Sequence, residues 1–268
     1  MVRILKSRNN NSIKFVRKLL NDRKLRDRNK IFVAEGHKVV NQLMKSETPL
    51  EIYCSNYFFK NLNKSNNFNK SIINHKKQIN VIPDLIFHQI SKLSNPEGIL
   101  AIFNQLNHNI EKFLNKETSI GVLCENIQDP TNIGAIIRNC YCLGADALLL
   151  TEGTVDIYNP KVVRASAGYI TRIPIFYIKK LNIRIFHENN YYMIASHFKS
   201  KENCKTIDRL NSLPKKTILV FGNEGKGLSQ DVILSADDHF YIPMRDGAES
   251  LNVNSSVAIV LHSLIKVK

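Results

Sequence analysis

Arg138 follows Asn132 by six residues in the stretch 125–144, which reads E-N-I-Q-D-P-T-N-I-G-A-I-I-R-N-C-Y-C-L-G. A guanidinium stays protonated at any ordinary pH and offers a planar fork of donors, so Arg138 is suited to gripping a phosphate or steadying negative charge on oxygen. Two further stretches carry polar groups of complementary kinds: F-G-N-E-G-K-G-L at 221–228 and I-P-M-R-D-G-A-E-S-L-N at 242–252. There Glu224, Ser250 and Asn252 supply a carboxylate, a hydroxyl and an amide. Three glycines within residues 222–227 let backbone amides and carbonyls come close to a flat ligand. The loop is not G-x-G-x-x-G, and it is not a Walker A sequence either, because Lys226 is followed by Gly227 rather than Ser or Thr. Phosphate binding by this loop is therefore a weak reading.

These residues need a scaffold. An apolar run at 120–124 enters the first stretch as a buried strand would, and Asp129-Pro130 breaks the extended pattern. Asn132 is expected to cap the next helix, whose apolar face would be Ile133, Ile136, Ile137 and Cys140. Arg138 would then lie near the carboxyl edge of a sheet, where open α/β folds place their sites. Apolar strands recur at 146–150, 173–178, 191–196, 217–221 and 238–242 with helices between them, the pattern of a mostly parallel sheet covered on both faces. Residues 159–168, N-P-K-V-V-R-A-S-A-G, read as a helix start that brings Lys161 and Arg164 near the site. The segment 252–264 starts at a polar cap and sets Val253, Val257, Val260, Leu261 and Leu264 on one face.

The front of the chain has its own pattern. Residues 12–28 carry Ile13, Val16, Leu19, Leu20 and Leu25 on one side of a helix. A strand at 31–34 leads through Glu35-Gly36-His37 into a helix containing Val39, Val40, Leu43 and Met44, and a further strand follows at 50–55. Residues 56–80, rich in Asn and Lys, read as a partial helix and then a mobile surface connection. Strands at 81–83 and 99–103 flank a helix at 84–90. This β-α-β-α-β layout implies a small α/β domain over 1–104, a polar linker over 105–119 and a second domain over 120–268.

The charge of +15 is concentrated at the front. Residues 1–120 hold 21 Lys+Arg against 9 Asp+Glu, whereas residues 121–268 hold 17 against 14. Residues 1–30 alone carry 11 basic and 2 acidic side chains, and six of the basic ones are arginines, which a general lysine bias does not explain. That density suits contact with a phosphate backbone. No apolar run reaches the roughly 18 residues needed to cross a bilayer, and the first residues lack the apolar segment of a signal peptide, so a cytoplasmic protein is expected. Five scattered cysteines fit reduced core thiols, and Cys140-x-Cys142 has no second pair at zinc spacing, so no metal is expected.

In order and relative spacing, the three polar stretches resemble the SpoU/TrmH family of RNA ribose 2′-O-methyltransferases, within the knotted SPOUT superfamily. K-L-R-D-R-N-K-I-F-V-A-E-G-H-K at 24–38 and N-P-E-G-I-L-A-I-F at 95–103 resemble the substrate-binding domain that precedes many of these enzymes. The resemblance implies an α/β trefoil-knot domain and a homodimer packed through its last helix. It also implies S-adenosylmethionine as cofactor, with Gly222, Ile242 and Leu251 lining its pocket and Asn223, Gly227 and Met244 beside it. Arg138 takes the central catalytic role, supported by Asn132, Glu224, Ser250 and Asn252. Because a guanidinium holds its proton, Arg138 is assigned to a substrate phosphate and the developing alkoxide rather than to proton acceptance. The extra front domain favours ribosomal RNA over tRNA as substrate; a silent RNA-binding or ribosome-assembly protein on the same scaffold is the alternative. After Ser250-Leu251-Asn252 the family usually continues with small alternating residues such as V-S-V-A, whereas Val253-Asn254-Ser255-Ser256-Val257-Ala258 here is more polar, although small residues persist.

Overall fold

A computed structural model describes residues 2–62, 72, 79–179, 183–196, 204–210 and 213–265. The chain forms two compact units, Met1–Leu106 with Asp156–Thr171, and Asn107–Val155 with Arg172–Lys268.

Among its described residues the first unit is built on five strands: β1 (Arg3–Ile4), β2 (Ile31–Glu35), β3 (Glu51–Ser55), β4 (Ile79–Ile82) and β5 (Ile99–Asn104). Their order is β1-β4-β3-β5-β2, with β5 antiparallel to both neighbours and the other pairs parallel. The first helical stretch is two helices, α1 (Asn11–Asn21) and α2 (Arg23–Asn29), rather than the single one expected. Asp22 leaves helical angles between them (φ −112°, ψ 105°), and its carboxylate accepts the Leu25 amide at 3.1 Å, capping α2. Ile13, Val16, Leu19 and Leu20 of α1 pack with Val33, Leu100 and Ile102 of the sheet. Helices α3 (His37–Leu43), α4 (Asn56–Asn61) and α5 (Asp84–Ile90) complete the pattern. Most of the connection expected after α4 lies outside the described residues. The two-residue β1 was too short to leave a periodic signal.

The helix Pro160–Ala165 packs on β2 and so belongs to this unit. Within it, Arg164 lies 3.8 Å from the buried carboxylate of Glu35. Upstream, Asp156 meets Arg26 at 2.6 Å, with side chains only 9% and 4% exposed. Arg26 also donates to the Leu19 carbonyl at 2.7 Å. Removing one member of such a pair strands a buried charge, so Asp156→Ala should lower stability by about 3–5 kcal/mol in urea denaturation. A loss below about 1 kcal/mol would mean that Arg26 finds another counter-charge.

Among its described residues the second unit holds seven strands, all parallel: β6 (Ser119–Cys124), β7 (Ala147–Thr151), β8 (Ile175–Ile178), β9 (Tyr192–Ser196), β10 (Lys205–Thr206), β11 (Lys216–Phe221) and β12 (Asp238–Tyr241). The order is β10-β12-β9-β11-β6-β7-β8. Val122, Leu123, Cys124, Ala147, Leu148, Leu149, Leu150, Ile218, Leu219 and Val220 are wholly buried, as strands covered on both faces must be. The stretch read as a polar linker contains helix α6 (Ile110–Leu114), whose Phe113 and Leu114 enter this unit's core. Helix α7 (Pro130–Cys142) follows β6, and its Ile133, Ile136, Ile137 and Cys140 are fully buried, the face expected from sequence. It ends at Gly144 (φ 86°), which supplies the left-handed turn that leads into β7. The last helix, Val253–Leu264, packs on α7. Cys54, Cys124 and Cys140 are buried thiols, whereas Cys142 is exposed. Among the described residues, no helix is long and apolar enough to cross a membrane.

Candidate active site

A cleft of about 490 Å³ opens in the second unit, within the range typical of small-molecule sites. Ser196, Phe221 and Tyr241 at the carboxyl ends of β9, β11 and β12 contribute to its lining, the sheet edge where parallel α/β folds hold ligands. Gly222, Asn223, Gly227, Ile242, Met244 and Leu251, the six expected cofactor contacts, all line it. So do Glu224 and Ser250. Asn132, Arg138 and Asn252 stand outside this lining.

The glycine loop is folded tightly on itself. The Asn223 amide donates to the Gly227 carbonyl at 3.1 Å, and the Gly227 amide returns to Asn223 at 2.9 Å. The Asn223 side chain serves the loop: its Oδ1 accepts from the Gly225 and Lys226 amides at 2.9 and 3.2 Å, while its Nδ2 donates to the Asn126 carbonyl at 2.7 Å. Glu125, 6% exposed, anchors the loop's far end by accepting the Ser229 amide at 2.8 Å and its hydroxyl at 2.7 Å. Nothing local in the sequence marks Glu125 for this role, since its partner lies 104 residues away.

Asp129, not Asn132, caps α7: its carboxylate accepts the Thr131 amide at 2.6 Å. The reason is Pro130, which takes the first helical position, where its missing N–H costs nothing, and places Asn132 inside the first turn. Asn132 is consequently free for tertiary contacts. Its Nδ2 donates to Glu224 Oε1, and its Oδ1 accepts from Asn254 Nδ2 at 2.8 Å. Asn254 Nδ2 also donates to Asn252 Oδ1 at 2.6 Å, and Asn252 caps the last helix by accepting the Asn254 amide at 2.9 Å. One polar chain, Glu224–Asn132–Asn254–Asn252, therefore ties the three stretches together. Arg138 is not part of it. Six residues along a helix turn through about 600°, so Arg138 projects some 120° around α7 from Asn132, on the exposed side.

Among the described residues, the charged groups lining the cleft are Glu224, Glu249 and Lys226. Two carboxylates with one ammonium suit a cationic or neutral ligand better than a polyphosphate, and Ile242, Met244, Leu251 and Ile233 add an apolar wall.

Residues 119–262 match the model of the SpoU rRNA Methylase family, and residues 10–101 match the MRM3-like substrate binding domain. The chain is 25% identical over 247 residues to the Bacillus subtilis 23S rRNA (guanosine(2553)-2′-O)-methyltransferase RlmP, covering 92% of this chain and 93% of that protein. It is 27% identical to the Streptomyces viridochromogenes 23S rRNA (uridine(2479)-2′-O)-methyltransferase, over 71% of this chain and 67% of the relative. A Synechocystis tRNA/rRNA methyltransferase matches at 29% identity over 66% of this chain, but the match spans only 63% of that relative's length. The fold superposes on the AdoMet-bound rRNA methyltransferase of Sinorhizobium meliloti with a TM-score of 0.83, covering 98% of this chain and 97% of that one at 24% identity. With the family model spanning more than half the residues, and falling on the unit in which the three polar stretches meet, the chain belongs to the SpoU rRNA methylase family.

Proposed function

We propose that this protein transfers a methyl group from S-adenosylmethionine to the 2′-hydroxyl of a ribose in ribosomal RNA. The observation that carries this reading is the cleft at the carboxyl edge of β9, β11 and β12, joined through Glu224 to the amide chain that links all three polar stretches. When bound, S-adenosylmethionine supplies a methyl group on a positively charged sulfur. Gly222 and Gly227 allow backbone to approach its flat ring, Ile242, Met244 and Leu251 exclude water, and the carboxylates of Glu224 and Glu249 favour positive charge nearby. Ser250 and Asn252 help place the ribose. Arg138 grips a phosphate and stabilises the oxygen as it loses its proton, a role that needs a permanent positive charge.

The first unit docks the RNA. Arg17, Lys18 and Lys24 are exposed along α1 and α2, on the strongly basic front of the chain. Changing all three to glutamine should weaken RNA binding and flatten its salt dependence by about two to three in log–log slope, leaving cofactor affinity unchanged. An unchanged slope in filter binding would place the phosphate contacts elsewhere. Two copies pair through the last helix, a reading supported by Ile259, which is 38% exposed there despite its apolar side chain.

The relatives named for 23S rRNA favour ribosomal RNA over tRNA. Incubation with methyl-labelled cofactor and each unmodified RNA tests this directly. Near-stoichiometric label in ribosomal RNA is expected; label confined to tRNA would reverse the substrate assignment, and RNA binding without label would support a silent assembly protein.

A further inference from the structure

The side chain of Asn254 is the central link between the amides of Asn132 and Asn252. We infer that Asn254 is a positioning residue that sets which way both amides face, and this rests on the methyltransferase reading above. A carboxylate accepts hydrogen bonds and, when ionised, donates none, so Asn132 must turn its Nδ2 toward Glu224. That leaves Asn132 Oδ1 facing the last helix, where it requires a donor. Asn254 provides one N–H to Asn132 Oδ1 and its second to Asn252 Oδ1. Asn252 Oδ1 is held from two sides, because it also accepts the Asn254 backbone amide at 2.9 Å. The Asn252 Nδ2 is thereby fixed on the other arm of the same planar amide, turned away from Asn254. Asn254 is itself held: Asn139 of α7 donates to its carbonyl at 3.1 Å.

The chemistry of the link requires two protons on one atom. A serine hydroxyl donates only one hydrogen and reaches less far, so it serves one acceptor at most. An aspartate has none when ionised and sets its oxygens against two carbonyl oxygens, driving both amides to flip. A flipped Asn132 turns its own oxygen toward Glu224, and the link between the first and second stretches is lost.

Single-turnover methylation of ribosomal RNA by wild type, Asn254→Ser, Asn254→Asp, Asn132→Ala and the double variant Asn132→Ala with Asn254→Asp tests this. Asn254→Asp is expected to slow methyl transfer about 30-fold or more with KM values for RNA and cofactor within about threefold, and Asn254→Ser about three- to tenfold. In the Asn132→Ala background the aspartate substitution should cost clearly less than it does in the wild-type background, since one of the two amides it would flip is gone and only Asn252 remains. Full rates for both Asn254 variants, fully additive losses, or losses that track a lowered melting temperature would each overturn the proposal. If the aspartate variant does not fold, the serine variant carries the same comparison. An inactive wild type would instead defeat the methyltransferase reading itself, so the two failures are distinguishable.

Discussion

Arg138→Ala should slow methyl transfer by about 10²–10³ while S-adenosylmethionine binds with its affinity changed less than about twofold. The separation follows from placement. Arg138 lies on the exposed side of α7, outside the cleft that the cofactor would fill, so its loss touches RNA and charge development but not the cofactor. The magnitude is that of deleting one group aimed at negative charge in a transition state. Arg138→Lys keeps the charge but loses the planar, two-pronged donor geometry, and it should recover less than about a tenth of the wild-type rate. Rapid-quench kinetics with labelled cofactor, beside calorimetric titration of each variant, measures both quantities. A lysine variant with most of its turnover would show that a point charge suffices. An alanine variant with weakened cofactor binding would put Arg138 against the cofactor instead.

Gly222→Ala should weaken S-adenosylmethionine binding by about 100-fold or more, through sterics rather than backbone preference. A Cβ at residue 222 would lie 2.3 Å from the Gly227 carbonyl carbon, 2.4 Å from the Leu228 nitrogen and 2.6 Å from the Gly227 oxygen. Those atoms are all backbone, so no side chain can swing away. The loop must open, and opening breaks the paired hydrogen bonds between Asn223 and Gly227. Because Asn223 also fastens this loop to Asn126, the disturbance spreads into the start of the first polar stretch. Calorimetry reads the affinity and a melting curve reads the fold. Affinity within about threefold of wild type would mean that the loop's shape is not what holds the cofactor.

Much of the second unit was legible because its strands are buried on both faces, so each appears as a bounded apolar run whatever its neighbours do. The buried face of α7 was legible for a related reason: Ile133, Ile136, Ile137 and Cys140 keep helical spacing. The cap of α7 differs from the expected one although its signal is in the sequence, since Asp129 and Asn132 are both capping types and only Pro130 at the first helical position decides between them. The break at Asp22 was hidden by the basic residues that continue across it. Other features had no local signal at all. Nothing in residues 156–171 shows that they pack with the first unit, because Asp156 finds Arg26 across 130 residues. The same holds for Asn254, whose amide meets Asn132 across 122 residues. The predicted cofactor contacts came out on one cleft because they sit on two adjacent loops. The catalytic candidates divide between that cleft, the amide chain beside it and the exposed face of α7.

Nucleoside mass spectrometry of ribosomal RNA after one round of reaction tests the central claim most directly. A single new 2′-O-methyl nucleoside, present with wild type and absent with Arg138→Ala, is the predicted result. Methyl groups found on a base, or ribose methylation that persists undiminished in the Arg138→Ala protein, would contradict it.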